Sequence, residues 1–210
     1  MVVEQKRKKR EKKPPPTFSF EEAGLRSKPK YLVAIDPGPE FSAYLILEAR
    51  EPLVCLLHGF VPNLDVLQLL EGMPLRSEAH LVVEMVSSYG MAVGWETFET
   101  VYWIGRFCQA WADDTTQARI YRAKIRSHIC ATARAGDAEI WRALVDRFGP
   151  SKDRAIGSKK SPGPLYGITS HERSALAVGV TYWDMLRGVV YPTPPDLSAV
   201  ACADHSAKIY

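Results

Sequence analysis

The chain has 210 residues, 46% of them hydrophobic, and a formal net charge of +3, which is enough for one sizeable core and a flexible arm. No apolar stretch approaches the ~20 residues of a membrane span, and no apolar segment follows the basic N-terminal run as it would in a secretory signal. Four widely spaced cysteines, Cys55, Cys108, Cys130 and Cys202, show no zinc-ligand spacing and read as reduced core residues of an intracellular, cytoplasmic protein.

The basicity is local: "KRKKREKK", residues 6–13, carries seven cations and runs into "PPP". Residues 1–29 are expected to be a disordered basic arm and lead-in suited to phosphate backbones, although a solubilising tail or a nuclear address would share this composition. "KYLVAID" then reads as a first strand, "SAYLILEA" as a second and "PLVCLLHGFV" as a third, an antiparallel meander with tight turns. "NLDVLQLLEGM" has helical spacing and ends at Gly72, and "HLVVEM" is another short buried strand. "WETFETVYWIGRFCQAWA", residues 95–112, is a long aromatic-rich amphipathic helix, and "ARIYRA" a fifth strand. "KIRSHICATA" and "DAEIWRALVDRF" are helices separated near Gly136, followed by a Gly/Pro/Lys-rich loop over 149–167. "SHERSALAVGVTYWDMLRG" is a final helix, capped by Ser170, with small residues on its packing face, and 191–210 form a C-terminal tail.

The order β-β-β-α-β-α-β-α, with a last helix returning to the sheet, is that of an RNase H-like fold. The expectation is an α/β domain over residues 30–190 with a mixed five-stranded sheet flanked by helices.

Two of these strands end on acids. Asp36 closes the first and Glu84 the fourth; if the two strands pair in parallel, both carboxylates share one sheet edge. Uncompensated carboxylates that close repel, and a divalent cation with a taste for hard oxygen ligands resolves the conflict. The plainer alternative makes Asp36 an Asx-turn residue of "DPG" and Glu84 a solvated strand end. His171, in the first turn of the final helix, would complete a three-point site, because an imidazole either ligates a divalent ion or serves as general base. As a lone residue it would be a capping or surface histidine.

"AIDPG", "LVVEM" and "HERSALAV" resemble, in order and spacing, the three acidic motifs of RuvC-like Holliday junction resolvases, particularly their phage relatives, over about residues 30–187. The resemblance implies a metal-dependent, structure-selective endodeoxyribonuclease acting on branched DNA in recombination and repair. It implies two Mg²⁺ or Mn²⁺ ions per site and a homodimer matching a two-fold junction. Asp36 and Glu84 match the first two metal-binding acids, and His171 falls where the family has Asp or sometimes His. Three residues on, where many members carry a further acid, this chain has Ser174. Glu172 and Asp184 are nearby acids, the latter more than three helical turns away. Lys124 and Arg126 fall where the family places basic DNA-contacting residues, with Arg126 the better match.

Other residues extend the expected nucleic-acid surface. Lys159 and Lys160 in the Lys-rich loop would track phosphates, and Tyr89 either stacks on an unpaired base or packs in the core. Trp95 is expected to pack against the following helix. The helix 95–112 is either a dimer interface or core.

The missing acid at Ser174 also supports a second function, a catalytically weakened or inactive nucleic-acid-binding module on the same fold. An actin-like ATPase or sugar kinase shares the strand and Asp-x-Gly opening but needs a second phosphate-binding turn and a chain nearly twice as long.

Overall fold

The structure, a computed structural model, describes residues 28–88 and 92–189. The expected meander is β1 (Tyr31–Asp36), β2 (Phe41–Glu48) and β3 (Val54–Pro62), followed by α1 (Asn63–Glu71) and β4 (Ala79–Met85). Next come α2 (Trp95–Trp111), β5 (Gln117–Tyr121), α3 (Arg122–Cys130) and α4 (Asp137–Phe148). A four-residue α5 (Lys152–Ala155), a small hairpin of β6 (Gly157–Ser158) and β7 (Ser161–Pro162), and α6 (Ser170–Leu186) complete the order.

The main sheet runs β3-β2-β1-β4-β5, mixed and five-stranded, as an RNase H-like fold requires. β1 pairs antiparallel with β2 and parallel with β4, in a register that sets Ile35 against Val83. β4 in turn pairs parallel with β5, Glu84 opposite Ile120.

Because side chains alternate along a strand, the sheet carries a core on each face. Val33, Ile35, Leu81 and Val83 pack with Phe107 and Trp111 of α2. Leu32, Ala34, Val82, Ala118 and Ile120 pack on the other face with α3, α4 and α6. That parity turns Asp36, Glu84 and residue 122 toward the α6 face.

α6 lies very close to the sheet. A Cβ at Gly179 would come within 2.6 Å of Leu47 Cδ1 and 3.1 Å of the Ala34 Cβ, so only glycine admits this approach without a shift. Two polar contacts tie α6 to its neighbours inside the core: His80 Nδ1 lies 2.8 Å from the Tyr182 hydroxyl, and Asp184 lies 2.9 Å from His128 Nε2 while Arg147 clamps both its oxygens.

Four local expectations change. The strand "ARIYRA" stops at Tyr121, whose extended backbone caps α3, so the helix begins at Arg122 rather than Lys124. Thr169, not Ser170, is the N-cap of α6: its N–H donates to Glu172 Oε2 at 2.6 Å, closing a capping box. The loop 149–167 is folded into α5 and the β6–β7 hairpin, with the Ser151 hydroxyl accepting from the Arg154 N–H. Trp95 is 59% exposed instead of packed, as are its neighbours along α2, Phe98 and Tyr102. Cys55, Cys108 and Cys130 are free and half-buried. The basic arm, Tyr89, Cys202 and the C-terminal tail lie outside the described residues.

Candidate active site

The turn after β1 is built without the Asp36 side chain. Gly38 N–H donates to Ser42 Oγ (3.3 Å), Ser42 Oγ–H to Asn63 Oδ1 (2.6 Å), and Asn63 Nδ2 to the Gly38 carbonyl (3.0 Å). Gly38 is needed there, since a Cβ would sit 2.4 Å from the Phe41 carbonyl oxygen. The Asx-turn alternative therefore fails, and the Asp36 carboxylate is left to the sheet edge.

There it meets Glu84. The two acids follow the last register pair of β1 and β4 and face the same side of the sheet. Their side chains are 21% and 11% exposed. Burial pushes the Asp36 carboxyl up to about 6, against the pull of Arg122. Burial and then the Asp36 charge push Glu84 up to about 7, despite Arg122. Two adjacent carboxyls raised this far form a site short of positive charge.

His171 stands on the other side of Asp36, its Nδ1 4.0 Å from Asp36 Oδ2 and its side chain 60% exposed. Its ring stacks on Phe60 of β3 at 4.5 Å between centroids and 9° between planes, and Phe60 leans on Phe41 at 5.6 Å. The first turn of α6 is held to β3 by the neighbouring residue: Glu172 Oε1 lies 2.6 Å from His58 Nδ1. Burial works against the Glu172 charge, but hydrogen bonds from His58 and Thr169 outweigh it and hold the carboxyl below its ordinary pKa. Glu172 is thereby committed to anchoring the helix, and Asp184 to His128 and Arg147 (2.9 and 2.5 Å). Neither acid replaces the carboxylate absent at Ser174.

Arg122 is the residue that sequence reasoning passed over. Its Nη1 donates to Glu84 Oε2 (3.0 Å) and Oε1 (3.3 Å) and to Ser174 Oγ (3.2 Å), and its Nη2 pairs with Asp137. The signal was available: position 122 continues the alternation of Ala118 and Ile120, and Ile120 lies opposite Glu84. A strand-end residue of that parity had to face the acids.

As a divalent-metal site the residues fit an ion on the Asp36 side. Asp36 offers hard oxygens with no hydrogen-bond donor on them among the described residues, and His171 Nδ1 stands 4.0 Å from one of them. Among the described residues no three His, Cys, Asp or Glu side chains form a ready-made ligand cluster, and the Glu84 oxygens accept from Arg122.

The other expected contacts are dispersed. Lys124 is exposed and Arg126 half-buried on α3, while Lys159 and Lys160 are exposed at the β6–β7 turn. A cleft of about 590 Å³ opens beside Ser174 toward α4 and α5, lined by Arg122, Arg142, Lys152, Arg173 and Trp141. The Arg173 guanidinium lies 4.3 Å from the centre of the Trp141 ring.

No protein-family model matches the chain, and no curated protein matches it. Solved structures do. A Thermus thermophilus RuvC structure superposes with a TM-score of 0.54 at 15% identity, over 77% of this chain and 99% of that one. T. thermophilus RuvC in complex with a Holliday junction substrate superposes with a TM-score of 0.53 at 15% identity, over 78% and 99%. The fold is RuvC-like.

Proposed function

We propose that this chain is a divalent-metal-dependent endonuclease that hydrolyses phosphodiester bonds in branched DNA such as Holliday junctions. The observation that carries the reading is the pairing of Asp36 and Glu84 at one edge of the parallel β1–β4 ladder, with His171 4.0 Å from Asp36. The RuvC-like fold supports it, and one of the matching structures holds a Holliday junction.

Mg²⁺ or Mn²⁺, when bound, would lower the pKa of a water and draw charge off the scissile phosphate. Asp36 would hold the metal through its donor-free oxygens. His171, oriented by the Phe60 ring, would complete the ligand set or accept a proton from the attacking water. Glu84 would hold Arg122 at the sheet edge, and the guanidinium would add positive charge near the charge that develops on phosphate oxygens. Arg142, Lys152 and Arg173 would lead a strand along the cleft, while Lys124, Arg126, Lys159, Lys160 and the basic run 6–13 add phosphate contacts. Two copies would serve the two strands of a symmetric junction. The exposed aromatic face of α2, Trp95, Phe98 and Tyr102, is the candidate contact between them.

The salt bridge from Arg122 to Glu84 also favours a second reading, a nucleic-acid-binding module whose catalysis is weak or lost. Incubation of the purified protein with a labelled four-way junction separates the two. Cleavage with Mg²⁺ or Mn²⁺ and none with EDTA supports the nuclease; binding without cleavage under all three conditions supports the module.

A further inference from the structure

The Arg122 guanidinium divides the candidate site into a filled half and an open half. On the Glu84 side, one nitrogen engages both carboxylate oxygens and Ser174 Oγ at 3.0–3.3 Å, the other pairs with Asp137 at the rim, and the side chain is only 20% exposed. On the Asp36 side, among the described residues, no donor touches the carboxylate, and His171 Nδ1 lies 4.0 Å away.

A metal ion on Glu84 would need an oxygen at ~2.0–2.1 Å for magnesium, and would have to share it with the guanidinium cation whose Nη1 donates to both oxygens. Ser174 offers no charge and also accepts from the same nitrogen. Charge balance runs the same way. Asp36, Glu84 and the rim Asp137 bring three negative charges when ionised and Arg122 one positive, so one divalent ion leaves the centre neutral before substrate arrives. Two divalent ions would leave it at +2, and the buried Glu172 and Asp184 are already tied to His58, His128 and Arg147.

We propose that Arg122 stands in for one cation of a two-cation centre, so that the site loads a single divalent ion, on Asp36 and His171. The proposal rests on the metal-dependent reading above and departs from the two ions that the sequence resemblance implies. Arg122 is then a fixed charge that no chelator removes, positioned by Glu84, Ser174 and Asp137.

Counting bound Mn²⁺ tests it without any assay of activity. The full chain, stripped with EDTA and dialysed, is titrated with MnCl₂ while free aquated Mn²⁺ is followed by electron paramagnetic resonance. The wild type is expected to bind one ion per chain, and the double variant Arg122→Gln, Ser174→Asp to bind two. Asp36→Asn is expected to weaken binding at least tenfold. Two ions on the wild type overturn the proposal and leave the nuclease reading standing. No ion on the wild type overturns both. A double variant that folds and still binds one ion also overturns the proposal. Should that variant fail to fold, the wild-type count decides alone.

Discussion

Arg122 and Glu84, one at the first residue of α3 and the other near the end of β4, form an ion pair with Nη1 3.0 Å from Oε2 and 3.3 Å from Oε1. The pair ties β4 to the residue that follows its parallel neighbour β5, and Arg122 is the positive charge that acts on two otherwise desolvated carboxyls. Removing the arginine therefore exposes what the site costs the fold.

Arg122→Ala should destabilise the metal-free protein by about 2–3 kcal/mol at pH 7.5, because a largely buried carboxylate loses its partner. At pH 5 the loss should be smaller, since Glu84, already raised to about 7, is then mostly protonated. Urea denaturation at the two pH values measures both. Equal losses would mean that the arginine acts through packing rather than charge.

The acid pair sets a pH dependence of opposite sign to that of ordinary paired carboxylates. Asp36 titrates at about 6 and Glu84 at about 7 in the fold, above their ordinary values of 3.8 and 4.5. Between those limits the folded chain binds more protons than the unfolded one, so stability falls as pH rises from about 4 to about 7. Asp36→Asn should remove part of that fall and stabilise the metal-free protein by about 1–3 kcal/mol at pH 7.5. Mn²⁺ should do the same for the wild type by binding only the native state. Thermal melts across pH 4.5–8, with and without Mn²⁺, give the profile; a wild-type profile that rises through this range would contradict it.

Glu172 works in the opposite direction. Its carboxyl is held below the ordinary value of 4.5, so the stability it contributes is present above pH ~4.5 and lost as pH falls through its lower folded pKa. Glu172→Gln keeps the shape but weakens the tie to His58 and the α6 cap, and should cost about 1–2 kcal/mol at pH 7. Hydrogen exchange should then rise in the first turn of α6 and in β3 while β4 and β5 stay protected. Uniform change across the sheet would show that the contact is not a local anchor.

How far the sequence revealed this arrangement differs from residue to residue. The parallel placement of Asp36 beside Glu84 was legible, because both end apolar runs and strand order followed from the alternation of elements. The glycine on α6 was legible only as one of several small residues; that Gly179 in particular must be Gly depends on Leu47 and Ala34 approaching from two strands. Arg122 was hidden by the assignment of "ARIYRA" as one continuous strand, which placed the helix start two residues late and drew attention to Lys124 and Arg126. Phe60 was hidden for another reason. It belongs to an edge strand with several exposed apolar residues, and nothing local to β3 announces that the ring of His171 will stack on it. Pairings between elements distant in the chain leave no trace in either element's own pattern.

The most direct measurement of the central claim compares wild type and Asp36→Asn on one labelled four-way junction, with binding and cleavage read in the same Mn²⁺ titration. If Asp36 holds the metal, the variant should bind the junction at least as tightly, having lost a negative charge from a DNA-facing edge, while cleavage falls by at least a hundredfold. Cleavage by Asp36→Asn at the wild-type rate would contradict the account, and the site would have to lie elsewhere on the fold.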